Sequence, residues 1–395
     1  MVFTVTTFGC KVNQYESSGI SEMMKQKGYI YADSPDNADI HIINSCTVTE
    51  NSDRKVKNLI SRLKQRNPTL KIILCGCFPK AFPEKAKATG ADIVIPGIFT
   101  GIDSVALPLP RSPQTERTRA FLKIQDGCNR NCTYCIIPKA RGRVKSRSIK
   151  EILAETEMLA QAGHKEIVIT GINLCAYEHS LVNAVKTVAQ VNGVQRVRLS
   201  SLEPDMISET DIVKLSEIPE LCEHFHLSLQ SGSDSVLKRM NRRYTTEHFN
   251  QKTNMILRYF PNAALTTDII VGFPGESEDE FTETLNFAKE IGFAKIHAFA
   301  FSPREGTLAA EMTGQLPKSV KAERTAHLHE LAETMRADFF KQLVNSEQKV
   351  LMETPTFGHT RCYTPVKTDN QYEKNSIVKL KISRAGTVCY GIEIS

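Results

Sequence analysis

The chain has 395 residues, 41% of them hydrophobic, which is enough for two or three domains with sizeable cores. Its 50 Lys and Arg only mildly exceed its 44 Asp and Glu, a balance that permits a nucleic-acid partner without requiring one. No apolar run is long enough to span a bilayer, and the start MVFTVTTFGC has neither a basic n-region nor a cleavage site. The sequence therefore predicts a cytoplasmic protein with no membrane partner.

The first hundred residues alternate short apolar runs with helical patterns. Helical patterns occupy 16–27 and 50–66, and β-rich runs occupy 2–7, 39–44, 71–75 and 92–95. Strands separated by helices predict an α/β fold with a doubly wound parallel sheet. The stretch 106–118 is rich in proline and polar residues, which is typical of a linker, so the first domain is placed at 1–110.

A second series of strands and helices follows the linker. Ser148 and Glu151 form a capping-box signature ahead of its first long helix. Six candidate strands lie at 121–125, 166–170, 194–199, 225–229, 265–271 and 295–300. This series predicts a partial (β/α)6 barrel at 119–345, with its site at the carboxyl ends of the strands.

The last part of the chain changes pattern. After a helical stretch at about 319–344, residues 348–394 show β-type patterning with polar turns. A third domain at 346–395 is therefore predicted to be a small β-barrel of the oligonucleotide-binding kind. Tyr363 and Tyr372 would either stack on bases or fill its core.

Cys128, Cys132 and Cys135 form a Cx3CxxC run just after the first strand of the second series. A 4Fe–4S cube has four irons, so three thiolates leave one iron open for a non-protein ligand. The alternative is half of a zinc site, or a buried structural trio. A zinc site would need a matching ligand pair nearby.

A second trio lies in the first domain. Cys10, Cys46 and Cys77 each follow a predicted strand, and the carboxyl ends of parallel strands share one edge of a sheet. Eleven cysteines without a secretory signal favour metal or redox chemistry over disulfides, although small buried hydrophobes remain the alternative. Cys75 is interpreted as the last residue of its strand. Four more cysteines are interpreted as non-ligands: Cys175, Cys222, Cys362 and Cys389.

Five basic residues occupy alternate positions from Lys139 to Arg147, with no acids among them. An extended backbone would place them on one face, as a ribbon that contacts phosphates near the site. The alternative is a solvated run of charge.

The sequence resembles the radical S-adenosylmethionine (SAM) methylthiotransferases over essentially its whole length. The branch that modifies threonylcarbamoyladenosine in tRNA is the most similar, through TFGCKVNQYE and IIPKARGR. One departure is Phe78-Pro79-Lys80, where the family usually has an aromatic, a small residue and an amide. The motifs that carry the resemblance are TFGCKVNQYES (7–17), NSCTVTE (44–50), CGC (75–77), DGCNRNCTYCIIPKARGR (126–143), LSSLEP (199–204), LSLQSGSDSVLKRMNRRYT (227–245), DIIVGFPGE (268–276) and FSPREGT (301–307).

The resemblance implies two 4Fe–4S clusters and SAM as cofactors. Cys128, Cys132 and Cys135 would hold the cluster that cleaves SAM to a radical. An auxiliary cluster that binds or supplies sulfur would be held by Cys10, Cys46 and Cys77. Tyr134 would neighbour the adenine of SAM, and Arg242 would pair with its carboxylate. The full set of implied SAM-binding positions is Tyr134, Gly171, Asn173, Ser201, Glu203, Gln230, Arg242, Val271 and Gly272.

The implied activity is insertion of a methylthio group at C2 of threonylcarbamoyladenosine, 3′ of the anticodon. That carbon has no acidic proton and no leaving group, so the hard step falls to a cofactor-derived radical. The C-terminal barrel resembles the TRAM domain, an RNA-binding module. The expected partners are a tRNA anticodon stem-loop, SAM, and a flavodoxin-type or other one-electron reductant. Three alternatives remain: isopentenyladenosine in tRNA, an aspartate of a ribosomal protein, and a non-enzymatic cluster-bearing or zinc-bearing RNA-binding protein.

Overall fold

The computed structural model describes residues 1–99 and 111–394. The first predicted domain boundary, at 110, and residues 106–110 of the predicted linker lie outside the described residues. The described part of that linker, 111–118, contains neither a helix nor a strand.

The N-terminal part is a parallel sheet flanked by helices. Its strands are β1 (Val2–Thr7), β2 (Ile30–Tyr31), β3 (Ile40–Ser45), β4 (Lys71–Gly76) and β5 (Ile93–Val94). They lie in the order β2-β1-β3-β4-β5, the doubly wound arrangement that was predicted. Strand β3 is buried along its whole length, as expected for a central parallel strand covered on both faces. The helices are α1 (Lys11–Gln26), α2 (Glu50–Arg66), α3 (Cys77–Ala81) and α4 (Pro83–Lys87).

The central part contains the predicted series of parallel strands and one short antiparallel pair. They are β6 (Arg119–Lys123), β7 (Gln125–Asp126), β8 (Lys145–Ser146), β9 (Glu166–Thr170), β10 (Arg196–Leu199), β11 (His224–His226), β12 (Ala264–Val271) and β13 (Lys295–Ala300). Two parallel sheets, β6-β9-β10 and β11-β12-β13, are joined by a parallel bridge between Leu202 and Leu227. Together they form a partial six-stranded barrel, and β7 and β8 form a separate antiparallel pair.

Helices cover the outside of this partial barrel. On β12, Leu265, Ile269 and Val271 belong to the large hydrophobic core that the helices share, so the alternate residues, including Asp268, face the lumen. The predicted capping box of Ser148 and Glu151 is present at the start of the second helix of this part. The helices are α5 (Ile137–Arg141), α6 (Ile149–Gln161), α7 (Leu181–Ala189), α8 (Glu209–Ser216), α9 (Asp234–Arg239), α10 (Thr246–Tyr259), α11 (Glu278–Ile291) and α12 (Leu308–Glu311).

A long helix leads to the C-terminal β-barrel. Helix α13 (Lys318–Gln342) precedes five strands, β14 (Glu347–Thr354), β15 (Phe357–Thr360), β16 (Pro365–Lys367), β17 (Ile377–Ala385) and β18 (Cys389–Glu393). They close in the order β14-β15-β16-β18-β17. The α/β fold class with a doubly wound sheet, a partial barrel and a small β-barrel is therefore confirmed. In the part of the chain that the structure describes, no helix combines the length and apolarity needed to cross a membrane.

Two buried arginines attach this β-barrel to the partial barrel. Arg196 donates to the carbonyls of Lys349 at 2.6 Å and His359 at 3.1 Å, and Arg198 donates to that of Arg361 at 2.7 Å. Both arginines pair with the buried Glu166, and Arg198 Nε lies 2.7 Å from Glu166 Oε1. The β-barrel therefore covers the amino-terminal end of the lumen.

The two tyrosines of the β-barrel have packing roles. Tyr363 stacks on His359 with ring centroids 4.6 Å apart, and the Arg119 guanidinium lies 4.5 Å from its ring. Tyr372 is half-buried against the core of the β-barrel. Of the two predicted alternatives, the contacts favour packing over base stacking.

Removal of Arg198 should release the C-terminal barrel. Burial works to raise the pKa of the Glu166 carboxyl, but the arginines outweigh it and lower that pKa from 4.5 to about 2. The contribution of this pair is therefore present above pH 4.5 and lost as the pH falls toward 2. Arg198→Met leaves a buried carboxylate underpaired and should cost about 3–5 kcal/mol at neutral pH. Limited proteolysis should then free the barrel.

The matched control is Arg66→Met, which breaks the exposed ion pair with Asp36. Such surface pairs contribute about 1 kcal/mol or less, so the proteolysis pattern should not change. Equal sensitivity of the two variants would contradict the attachment role.

Candidate metal and cofactor site

The three N-terminal cysteines lie at one edge of the first sheet. Cys10 caps the start of α1, Cys46 directly follows β3, and Cys77 is the first residue of α3. A Cβ at Gly9, which has φ +124°, would lie 2.9 Å from Cys46 Cβ, so two of the loops are in contact. Cys10 is exposed, whereas Cys46 and Cys77 are buried. The sheet therefore brings together the three residues that the sequence singled out.

Two asparagines fix these loops. Asn44 donates to Asn13 O at 2.9 Å, and Asn13 donates to Ser45 O at 3.3 Å. A Cβ at Gly76, which has φ +94°, would come within 2.5 Å of Asn44 Oδ1, so only glycine fits before Cys77. The prediction did not single out either asparagine, although both belong to the quoted motifs around the cysteines.

The second trio lies in the loop after β7. Its backbone is held by Cys128 N, which donates to Gly142 O at 3.0 Å, and by Cys135 N, which donates to Cys132 O at 3.0 Å. All three cysteines are half-buried. Burial raises the pKa of the Cys135 thiol to about 12.

The ligand type bears on the kind of metal site. Each trio consists of three free cysteines. Thiolates are the ligands of iron–sulfur clusters, and three of them leave one iron of a 4Fe–4S cube open for another ligand. The donor sets of both trios therefore fit such a cluster.

An ion pair and an amide surround the second trio. Arg242 donates to Cys132 Sγ at 3.3 Å and to Glu203 Oε2 at 2.5 Å. Asn173 Nδ2 lies 3.9 Å from Cys128 Sγ, while its Oδ1 is buried and has no partner among the residues described. Three of the predicted cofactor positions therefore meet at the cysteines.

Three further predicted positions are set by backbone geometry. A Cβ at Gly171 would lie 2.9 Å from Gln125 Oε1, and one at Gly272 would lie 2.2 Å from Lys321 Cγ. Gln230 has φ +71° and bridges two strands, because its N–H donates to Asp268 O and its carbonyl accepts from Ile270 N. These contacts require the glycines and keep the carboxyl ends of the strands in register.

The last three predicted positions differ in exposure. Tyr134 packs edge-on against Phe273 with ring centroids 6.5 Å apart, and burial raises the pKa of its phenol. Val271 is buried at the end of β12, and Ser201 is exposed after β10. Of these, Tyr134 lies in the same loop as the cysteines.

A buried salt-bridge network joins the two trios. Arg141 Nε donates to Cys77 Sγ at 3.1 Å, and its Nη2 donates to Glu16 Oε2 at 3.0 Å. Lys123 Nζ lies 3.0 Å from both Glu16 Oε1 and Asp126 Oδ2. Burial raises the pKa of the Cys77 thiol to about 11, and the Arg141 guanidinium opposes that rise.

The predicted extended ribbon from Lys139 to Arg147 is wrong. Its first part, through Arg141, forms the end of α5, so the side chains do not share one face. Arg141 is buried in the network above, and Arg147 pairs with Glu155 at 2.6 Å. The hydrophobic contacts of α5 and the buried acids outweigh the alternation of charge. Lys139, Arg143 and Lys145 remain exposed.

A second contact ties the loop after β13 to the first sheet. Arg304 donates to Thr47 Oγ1 at 2.7 Å and to Asp53 Oδ2 at 2.5 Å. Thr47 directly follows Cys46. The loop after β13, which carries Arg304, therefore helps to position the loop that carries Cys46. Arg304 belongs to the FSPREGT motif, but its role was not predicted.

Known proteins resemble this chain over most of its length. Residues 122–288 match the Radical SAM superfamily, and residues 2–96 match a family described as Uncharacterized protein family UPF0004. The threonylcarbamoyladenosine tRNA methylthiotransferase MtaB of Thermotoga maritima is 40% identical over 88% of this chain and 86% of its own. The tRNA-2-methylthio-N(6)-dimethylallyladenosine synthase of Thermodesulfovibrio yellowstonii is 34% identical over 96% and 95%.

A solved structure shares the fold at low identity. The radical SAM methyltransferase TsrM of Kitasatospora setae aligns with a TM-score of 0.58 at 12% identity, covering 78% of this chain and 77% of its own. At that identity the likeness concerns the fold alone.

The buried role of Arg141 can be measured directly. Arg141→Ala leaves Glu16, which is 1% exposed, with Lys123 as its remaining cation. Loss of one partner of a buried pair should lower stability by about 3 kcal/mol, seen as a lower thermal midpoint. Arg143→Ala, an exposed neighbour in the same segment, should change stability by less than about 0.5 kcal/mol. Similar midpoints for both variants would show that the network does not stabilise the protein.

Proposed function

The chain belongs to the radical SAM methylthiotransferase family, and from that membership we propose that it inserts a methylthio group at C2 of threonylcarbamoyladenosine in tRNA. The observation that carries the proposal is the pair of cysteine trios at facing strand edges, linked by Arg141. The 40% identity to the threonylcarbamoyladenosine tRNA methylthiotransferase of Thermotoga maritima supports this substrate over isopentenyladenosine and over a ribosomal protein.

We propose that each trio holds one 4Fe–4S cluster. Cys128, Cys132 and Cys135 would hold the cluster that meets SAM, and the N-terminal trio would hold the auxiliary one. The three free thiols in each set support this assignment. When bound at Cys128–Cys135, a cluster supplies the electron that cleaves SAM reductively and so provides the radical that an inert C–H bond needs.

The residues around the second trio suit the amino-acid end of SAM. That end carries one positive and one negative charge, and the Arg242–Glu203 pair offers a complementary charge to each. We propose that Arg242 meets the carboxylate and Glu203 the ammonium, while Asn173 uses its unpaired Oδ1 to accept a hydrogen bond from the same group. Tyr134, Gly171, Ser201, Gln230, Val271 and Gly272 are proposed to shape the remaining pocket.

Shielding from water is a task of the chain itself. The C-terminal β-barrel covers one end of the lumen through Arg196 and Arg198. Contacts such as that between Arg304 and Asp53 hold the first sheet over the other end. Exclusion of water protects a reactive intermediate from side reactions. We therefore propose three domains, at 1–110, 119–345 and 346–395, that form one reaction chamber.

We propose that an anticodon stem-loop docks beside the second trio. The exposed Arg143 and Lys145, near Cys128 in the fold, are suited to phosphate contacts. The adenosine 3′ of the anticodon would then leave its stack and enter the chamber, which costs only a few kcal/mol in a single-stranded loop. A tRNA substrate implies work in the cytoplasm, with a flavodoxin-type or other one-electron donor as reductant.

Two triple variants separate the clusters. With Cys128, Cys132 and Cys135 changed to Ala, the reconstituted protein should hold about half of its roughly eight irons and form no 5′-deoxyadenosine. With Cys10, Cys46 and Cys77 changed to Ala, the protein should also lose about half of its iron. It should still cleave SAM but form no methylthiolated product. Iron analysis and chromatography of the products would check both.

Cys389→Ala is the matched control, because this cysteine is buried in the core of the C-terminal β-barrel and is not a proposed ligand. This variant should retain its iron and should still form both 5′-deoxyadenosine and the methylthiolated product. If the first triple variant still cleaved SAM, the assignment of the radical cluster would be wrong. Product formation by the second would refute the auxiliary role.

The substrate is tested by competition between three acceptors. The reconstituted enzyme would be offered tRNA with threonylcarbamoyladenosine, tRNA with isopentenyladenosine, and a ribosomal protein. We expect methylthiolation of the first alone, measured by mass spectrometry of nucleosides and peptides. Preference for either of the others would reject the substrate while leaving the radical chemistry intact. Absence of SAM cleavage would favour a non-enzymatic RNA-binding protein.

A further inference from the structure

One group of polar side chains in the lumen has no role in the assignments above. His226 of β11, Asp268 of β12 and His297 of β13 offer ligand atoms that all lie within 4.8 Å of one another. His226 Nε2 is 3.3 Å from Asp268 Oδ2, and Asp268 is directly opposite His297 in the parallel register. The trio is accessible from the lumen rather than packed in the core.

A lysine at the start of α1, in the N-terminal part, faces the same space. Lys11 is the first residue of α1 and directly follows Cys10. Its side chain is reached by solvent, yet surrounding protein and the charges of Arg198 and Arg119 lower the pKa of its ammonium to about 8. Asp268 is also close enough to act on that pKa. Within residues 1–99 and 111–394, the ammonium has no hydrogen-bond or ion-pair partner.

The surrounding charge argues against a metal ion at the histidine trio. A cation there would face the ammonium groups of Lys11 and Lys295, both close enough to affect the pKa of His297. Burial and Lys295 lower that pKa, so the imidazole of His297 favours its neutral form, which can donate and accept one hydrogen bond. The group as a whole offers one free cation, one carboxylate and two imidazoles.

These functional groups complement a small acid that also carries N–H or O–H donors. The threonylcarbamoyl group has one carboxylate, a hydroxyl and a urea. An isopentenyl group has none of them and would leave the Lys11 ammonium without a partner in the lumen, which is costly. The lining of the lumen therefore favours the first kind of adenosine over the second.

We propose, on the basis of the proposed function, that Lys11 binds the carboxylate of the threonylcarbamoyl group and that Asp268, between His226 and His297, accepts a hydrogen bond from its N–H or O–H. Because Lys11 follows Cys10, the start of α1 carries both a proposed cluster ligand and the residue that selects the substrate.

The test uses the full-length reconstituted enzyme and two substrates that differ in one group. One is tRNA with threonylcarbamoyladenosine, and the other is the same tRNA with the threonyl carboxylate as its methyl ester. For the acid, Lys11→Met should lower kcat/KM about 10- to 100-fold, mainly through KM. For the ester, the variant and the wild type should be alike. Asp268→Asn should lower kcat/KM for both substrates, because the proposed contact of Asp268 does not involve the threonyl carboxylate.

Lys57→Met is the matched control, since Lys57 is exposed on α2. It should leave kcat/KM unchanged for both substrates. Iron content and thermal midpoint identify a variant that fails to fold, and in that case Lys11→Gln replaces Lys11→Met.

The outcomes distinguish failure of the proposed function from failure of the proposed role of Lys11. If the wild type does not modify the acid-bearing tRNA, the proposed function fails and this inference fails with it. If it does, but Lys11→Met affects acid and ester equally, Lys11 contacts a phosphate or only supports the fold, and the inference alone is overturned. Unchanged kinetics of Lys11→Met with the acid would overturn it as well.

Discussion

The architecture depends on the buried pairing of Glu16 with Arg141. Glu16 lies on α1, which flanks the first sheet, and Arg141 ends α5, which follows the second trio, so the pair fixes the N-terminal part against the partial barrel. Removing two charges from water is costly unless the geometry and additional hydrogen bonds repay it. Here Lys123 and Cys77 Sγ supply those bonds. Arg141, which follows the second trio in the chain, thus contacts Cys77 of the N-terminal trio. This contact makes the two sites parts of one unit.

Much of the fold could be predicted from the sequence, because hydrophobic periodicity and the alternation of strands with helices are read from local stretches of the chain. Strands β1 and β9 begin and end where the apolar runs do, and the three separated cysteines converge because parallel strands share an edge. The ribbon failed for a tertiary reason. Alternating charge from Lys139 to Arg147 favours one extended, solvent-facing surface only if no buried acid pairs with these residues. Glu16, which is distant in sequence, does pair with Arg141 and draws it into the interior. Contacts such as that of Arg304 likewise depend on how two domains meet, which no local pattern encodes.

The chamber between the sheets has two chemically different ends. At the carboxyl end of the strands lie the second cysteine trio and the Arg242–Glu203 ion pair. Farther down, Asp268 and the two histidines line the lumen, and the charge of Asp268 acts on Lys11. Under the two proposals, substrate selection and radical chemistry use different residues of the same lumen.

The attachment of the C-terminal barrel has a consequence for how such proteins diversify. Arg196 and Arg198 are directed at main-chain carbonyls of Lys349, His359 and Arg361, and not at their side chains. A carbonyl is present whatever residue carries it, so drift in the sequence of the barrel leaves the joint intact as long as its strands close in the same way. The outward side chains are then free to vary. Homologous barrels should be interchangeable between chains as whole cassettes.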